Sequence, residues 1–223
     1  MLNKPLVTLA ICNFNREKYL RRAIQSCISQ TVLKRHIEII VVDDASTDGS
    51  LDICDEFIKE IKTIKNTTNL GVGNASSIAL ELAKGEYFMR VDSDDYISSE
   101  LVSNFAPILD HNENIDFVYG DLLRINKKGQ SKERISLNTS EKVKQHGAGI
   151  LFRRRSLLNA GGYNKNLRNS EDYELITKLL NLNAKGFHYP APLYRYYESE
   201  HNLSHQLKIR SQLEIEIRKK YDV

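Results

Sequence analysis

The chain has 223 residues, of which 41% are hydrophobic, 8% aromatic and 27% charged. That composition excludes a disordered, collagenous or coiled-coil protein, and the length suits a single domain. Lys+Arg 32 against Asp+Glu 29 leaves a formal +3, too nearly balanced to argue for a nucleic-acid partner. Cys12, Cys27 and Cys54 are an odd set that reads as reduced thiols in a cytoplasmic setting rather than a disulfide framework. No apolar run approaches the roughly 18 to 20 residues of a spanning helix. The short stretch Leu6–Cys12 runs into polar Asn13-Phe14-Asn15 without a cleavage pattern, so no leader is expected.

Taken in chain order, the first half alternates strands and helices. Leu6–Cys12 is a continuous apolar run, as in a strand covered on both faces. Asn15 can cap a following helix, which Tyr19, Ala23, Ile24, Cys27 and Ile28 mark at helical spacing. Ile37–Val42 is a second buried strand. After it, Asp43-Asp44-Ala45-Ser46-Thr47-Asp48-Gly49-Ser50 is dense in turn and capping residues. Leu51, Cys54, Phe57, Ile58 and Ile61 mark the next helix, and a short strand is expected near Thr63–Lys65. Asn69-Leu70-Gly71-Val72-Gly73-Asn74 leads into a helix carrying Ile78, Ala79 and Leu82. Tyr87–Val91 is a fourth strand. Strands joined by helical crossovers imply an α/β fold with a mostly parallel, Rossmann-like sheet, helices on both faces, and a ligand crevice at the carboxyl ends of the strands.

The second half is less regular. Leu101, Phe105 and Ile108 suggest a helix. Phe117–Ile125 and about Lys132–Ile135 read as strands joined by Asn126-Lys127-Lys128-Gly129, and Ile150-Leu151-Phe152 as another. A helix begins at Glu171-Asp172. The tail from Leu207 to Val223 favours a helix. The pattern predicts one domain over 1–223, with residues 1–98 as one half and 99–223 as a mixed half plus the C-terminal tail.

Three carboxylates crowd Asp92-Ser93-Asp94-Asp95 at a strand end. Their repulsion is relieved by a shared hard cation such as Mg²⁺, or the segment is a solvated acidic turn. Asp43-Asp44 either caps the next helix, a job Asp48 or Ser46 can also do, or accepts hydrogen bonds from a base or ribose. Glu171-Asp172 either complements a helix dipole or supplies a general base. Arg153-Arg154-Arg155 reads as a solvated face or a phosphate contact. His201 and His205 have no zinc-like context.

Taken together, Val7–Asn15, Gln30-Thr31, Ile40–Ser50, Asn69–Gly73, Lys84-Gly85-Glu86-Tyr87, Asp92–Asp95, Gly161-Gly162-Tyr163 and Glu171–Leu175 resemble the family 2 glycosyltransferases of GT-A fold over nearly the whole chain. The resemblance implies a non-processive inverting transfer of one sugar from a nucleotide-sugar donor, UDP in the usual case, to a saccharide or lipid-linked acceptor. By this resemblance, residues 1–98 bind the donor and residues 99–223 the acceptor. It puts Cys12, Phe14 and Asp44 around the base and Asp92 at the ribose, with Asn15, Gly71 and Ser93 also binding the donor. Mn²⁺ or Mg²⁺ would lie on Asp94 and Asp95, with Asp172 as base beside Glu171, and Arg195, His201 and Ser204 over the diphosphate. One departure stands out: Ala75-Ser76-Ser77 occupies the place where relatives often carry Ala-Arg-Asn. The basic, apolar tail either packs on the domain or touches anionic lipid at the membrane periphery. A nucleotidyltransferase and a non-catalytic nucleotide-sugar-binding module are the rival readings.

Overall fold

The computed structural model describes residues 5–33, 36–197 and 207–221. The first half builds β1 (Val7–Asn13), α1 (Glu17–Ile28), β2 (Ile37–Asp43), α2 (Ser50–Glu56), β3 (Lys62–Lys65), α3 (Val72–Leu82) and β4 (Tyr87–Asp92). These strands lie parallel in the order β3-β2-β1-β4. Val7 to Ile11 and Ile40 to Val42 are buried on both faces of the pleat, which explains why their sequence is continuously apolar rather than alternating. The register pairs Asn13 with Asp43 and Cys12 with Asp92, so both acidic clusters leave the sheet at one level.

The second half adds β5 (Tyr96–Ile97), α4 (Leu101–His111), β6 (Phe117–Ile125), β7 (Ser131–Ile135), α5 (Ser140–Lys144), β8 (Leu151–Arg153), α6 (Arg154–Asn159), α7 (Glu171–Asn181), β9 (Gly186–Tyr197) and α8 (Leu207–Tyr221). Beyond β4 the sheet continues β8-β6-β9-β5, with β7 on β6, and becomes mixed. β8 is antiparallel to both β4 and β6, while β9 runs parallel to β6. β9 is the longest of the elements that the sequence does not announce; β5, α5 and α6 are the others.

Several local expectations are corrected. Asn15 does not cap α1: it sits at φ 52 and its Oδ1 accepts from the Thr47 amide. The cap comes from another loop. Asp48 Oδ2 accepts from the Glu17 amide at 3.0 Å, and its Oδ1 accepts from the Ser50 amide at 3.0 Å. One carboxylate therefore closes the N-termini of α1 and α2 together. Asp43 is also structural, accepting from Asn13 Nδ2 at 2.8 Å and from the Ser46 amide at 2.9 Å. α2 stops at Glu56, and Ile58 beyond it is exposed.

Arg153 is neither a solvated nor a phosphate-facing residue. It is buried and donates to the Leu109, Asn112 and Ile115 carbonyls, satisfying the end of α4. The tail helix packs on α7: Arg218 Nε donates to Tyr173 Oη at 2.7 Å, and Lys220 Nζ donates to Glu174 Oε1 at 2.9 Å. Among the described residues no helix is long and apolar enough to cross a membrane.

Candidate active site

A cavity of about 810 Å³ opens at the carboxyl ends of β1, β2 and β4. Cys12, Phe14, Asp44, Gly71, Asp92, Ser93, Asp94, Glu171 and Asp172 all line it. The loop after β1, the loop after β2, the N-terminus of α3 and the first turn of α7 thus meet around one crevice, as open α/β sheets place their ligands.

Asp44 organises the floor. Its Oδ1 accepts from Asn66 Nδ2 at 2.8 Å and from the Leu70 amide at 3.0 Å, and its Oδ2 accepts from the Gly71 amide at 2.7 Å. The carboxylate thereby fixes the 66–71 loop. Gly71 has φ 91, and a Cβ there would stand 2.8 Å from Arg168 Cγ, so only glycine lets the Arg168 stem lie across the loop. Arg168 donates to Asn69 O and Oδ1, which leaves its charge at the cavity wall. The Cys12 thiol lies 3.5 Å from Ser76 Oγ, and burial pushes it up to about 12, so it serves as wall rather than nucleophile.

The acidic cluster divides. Asp94 lines the cavity with Oδ2 3.3 Å from Arg16 Nε; burial and the neighbouring Asp92 raise its carboxyl above the ordinary range. Asp95 is absent from the lining. It is buried, and its Oδ1 accepts from the Tyr197 amide at 2.7 Å. It is therefore corrected from a metal ligand to an anchor of β9. Among the described residues no group of three His, Cys, Asp or Glu side chains converges as a metal cage. Asp94 offers one carboxylate at the strand end, a donor that suits Mg²⁺ or Mn²⁺ when substrate phosphate and water complete the shell.

Arg195 is also corrected. Along β9 side chains alternate, so Tyr194 and Tyr196 face the cavity and Arg195 points away, donating to the Pro192 carbonyl. Asn15 holds the Thr47 loop and does not line the cavity. His201 and Ser204 lie outside the described residues.

At the far wall, α7 is preceded by its N-cap residue Ser170, which has φ 60, a left-handed conformation uncommon for a non-glycine residue. Glu171 and Asp172 then project onto Arg90 of β4, at 2.7 Å (Nη1 to Oε1) and 2.5 Å (Nη2 to Oδ2). Burial, Glu171 and Asp92 push the Asp172 carboxyl well above the usual range against the pull of Arg90. Gly147 packs directly on it: a Cβ there would fall inside the van der Waals radii of Asp172 Cβ and Cγ.

The sequence reading missed Arg90, Arg168, Gly147, His146, Tyr194 and Tyr196. Arg90 had one legible signal, a guanidinium amid the buried apolar residues of β4. His146 lines the cavity with its ring edge-on to Tyr196; burial, Arg210 and Arg124 bring its imidazole down to about 4, so it is neutral.

The strand order, the crevice and its carboxylates define a GT-A-type α/β domain. The structure of Staphylococcus aureus TarS 1-349 in complex with UDP-GlcNAc superposes with a TM-score of 0.82 at 22% identity, over 97% of this chain and 65% of that one. The mannosyltransferase PcManGT from Pyrobaculum calidifontis, in complex with GDP-Man and Mn²⁺, superposes with a TM-score of 0.74 at 17% identity, over 95% of this chain and 62% of that one. The family model for glycosyl transferase family 2 matches residues 8–177, and the chain belongs to that family.

Among curated proteins, the poly(ribitol-phosphate) beta-glucosyltransferase of Bacillus spizizenii is 38% identical over 130 residues, covering 56% of this chain and 20% of its own length. The chondroitin synthase of Escherichia coli is 30% identical over 189 residues, covering 78% of this chain and 26% of its own length. The chain thus spans about a fifth to a quarter of these two relatives.

Proposed function

We propose that the chain is a metal-dependent inverting glycosyltransferase that moves one sugar from a nucleoside-diphosphate sugar, UDP in our reading, to an acceptor hydroxyl during polysaccharide or glycolipid synthesis. The observation that carries this reading is one cavity holding Asp94 at the strand end and Asp172 on the opposite wall. A donor laid across the strand ends would present its diphosphate to Asp94 and its anomeric carbon toward α7. The names of the relatives support the class of reaction, and the UDP-GlcNAc and GDP-Man complexes of its structural neighbours support the class of donor. The loop after β1 reads Asn13-Phe14-Asn15-Arg16 and is not glycine-rich, which disfavours a nucleotidyltransferase.

In this reading the acceptor hydroxyl attacks the anomeric carbon from the face opposite the diphosphate. The new C–O bond forms as the bond to phosphate oxygen breaks, the electron pair leaves with the nucleoside diphosphate, and Asp172 takes the hydroxyl proton. A divalent ion on Asp94 would supply charge neutralisation to the leaving diphosphate. Asp172 is raised above an ordinary carboxylate, which brings a base closer to neutral working pH. Arg168, which among the described residues has no carboxylate partner, brings a cation to the donor side, where α3 carries the neutral Ser76. In this reading the crevice holds both substrates in line, and that positioning supplies much of the acceleration.

A thermal-shift panel of nucleotide sugars with Mn²⁺ tests the proposal, because selective binding to the folded state raises the melting temperature. A shift with one nucleoside class and its diphosphate is expected; no shift with any nucleotide contradicts it. Asp44→Ala is expected to weaken nucleotide binding by about 1 to 3 kcal/mol, since the variant loses a charged acceptor and unfastens the 66–71 loop. Calorimetry with UDP, GDP and TDP checks this. Parental affinity for all three would place the base elsewhere.

A further inference from the structure

Arg90 is a cation inside a strand whose Tyr87, Phe88, Met89 and Val91 are buried. Its own side chain is 4% exposed. Small residues make room for it: Ser76 of α3 accepts from Nη1 at 3.4 Å. Tyr163 stacks on the guanidinium, with its ring centroid 5.9 Å away. The three nitrogens reach carboxylates on two elements. Nε lies 3.0 Å from Asp92 Oδ1 on the donor side, Nη1 bonds Glu171, and Nη2 bonds Asp172 on the opposite wall. One guanidinium facing three carboxylates has no charge left for a phosphate, so Arg90 is not a donor-phosphate cation.

We propose that Arg90 is a positioning residue that locks the Asp172 carboxylate through Oδ2, keeps Oδ1 beside Gly147 for the acceptor hydroxyl, and ties that geometry to Asp92 at the donor side. The proposal rests on Asp172 being the base. The groups facing this carboxylate are Glu171 on α7, Asp92 and Arg90 on β4 and Tyr163 after α6, while Gly147 offers only main chain. Arg90 is the cation among them. Without it, burial and the two acidic neighbours hold the proton on Asp172 to higher pH.

The test compares Arg90→Lys and Arg90→Met with the parent. Arg90→Met is expected to lose roughly 10²-fold in turnover, with Mn²⁺-dependent UDP affinity within about threefold of parental. The acidic limb of its pH–rate profile should move to higher pH, and Arg90→Lys should recover part of the loss. Parental turnover, an unmoved limb, or equal losses of turnover and UDP affinity would each overturn the proposal. A second readout needs no activity. A carboxyl whose folded-state pKa is raised above its unfolded value contributes stability that is present at low pH and is lost as pH rises from the unfolded value through the folded one. The melting temperature of Arg90→Met should therefore fall more steeply than the parent's as pH rises above the ordinary Asp value of about 3.9, and adding Asp172→Asn should flatten that slope. Parallel slopes in parent and Arg90→Met would refute the link itself. If instead the parent transfers no sugar from any donor while the slopes differ as expected, the functional reading fails and the Arg90–Asp172 link stands.

Discussion

Asp172→Asn is expected to cut turnover on the order of 10²-fold or more while leaving donor affinity nearly unchanged. The asparagine keeps the shape and can still accept from Arg90 Nη2, so the wall of the cavity stays in place. What it loses is the capacity to take a proton. Glu171→Gln should be milder. Glu171 is the more buried of the pair, with a side chain 7% exposed against 16% for Asp172. Turnover and UDP affinity of both variants check the assignment. Near-parental turnover for Asp172→Asn with a large loss for Glu171→Gln would reverse the roles, and full activity in both would move the base elsewhere.

Gly147→Ala is the second large effect. The new methyl would overlap Asp172 at Cβ and Cγ, next to the α7 backbone, where no flexible end can swing aside. Either the 145–149 segment or the first turn of α7 must shift. Overpacking of this kind costs about 1 to 3 kcal/mol, which in a domain of this size lowers the melting temperature by roughly 2 to 4 °C per kcal/mol. Turnover should fall by about 10²-fold, because a displacement near 1 Å at a reacting group is enough for that. If the alanine acts through Asp172, adding it to Asp172→Asn should cost little further turnover. Full additivity of the two losses in turnover would show that Gly147 acts by another route, and parental turnover would show that the contact is relieved without moving the base.

Much of this architecture was legible because its signals are local. The apolar runs of β1, β2 and β4 match the observed strands within one residue, since strands buried on both faces are mostly apolar rather than alternating. β9 was missed because Gly186–Tyr197 contains Pro190 and Pro192 and pairs with β6, some 70 residues earlier, through a register shift between Gly120 and Leu122. That omission carried the error at Arg195: without the strand there was no alternation to turn Tyr194 and Tyr196 inward. Asp95 and Asp94 are neighbours in sequence, yet only the backbone path into β5 decides that one faces β9 and the other the cavity. The cation network is the opposite case. Arg90 stands more than 80 positions before Glu171 and Asp172, and only folding shows that the three share one ion cluster.

The central claim is a nucleoside-diphosphate site assembled with a divalent ion on Asp94. Titration calorimetry of UDP into the parent and into Asp94→Ala, each with and without Mn²⁺, tests it most directly. The account predicts binding to the parent that strengthens with Mn²⁺ and a variant that folds normally but has lost that metal-dependent gain. Undiminished Mn²⁺-dependent affinity in Asp94→Ala, or a parent that binds no nucleoside diphosphate, would contradict it.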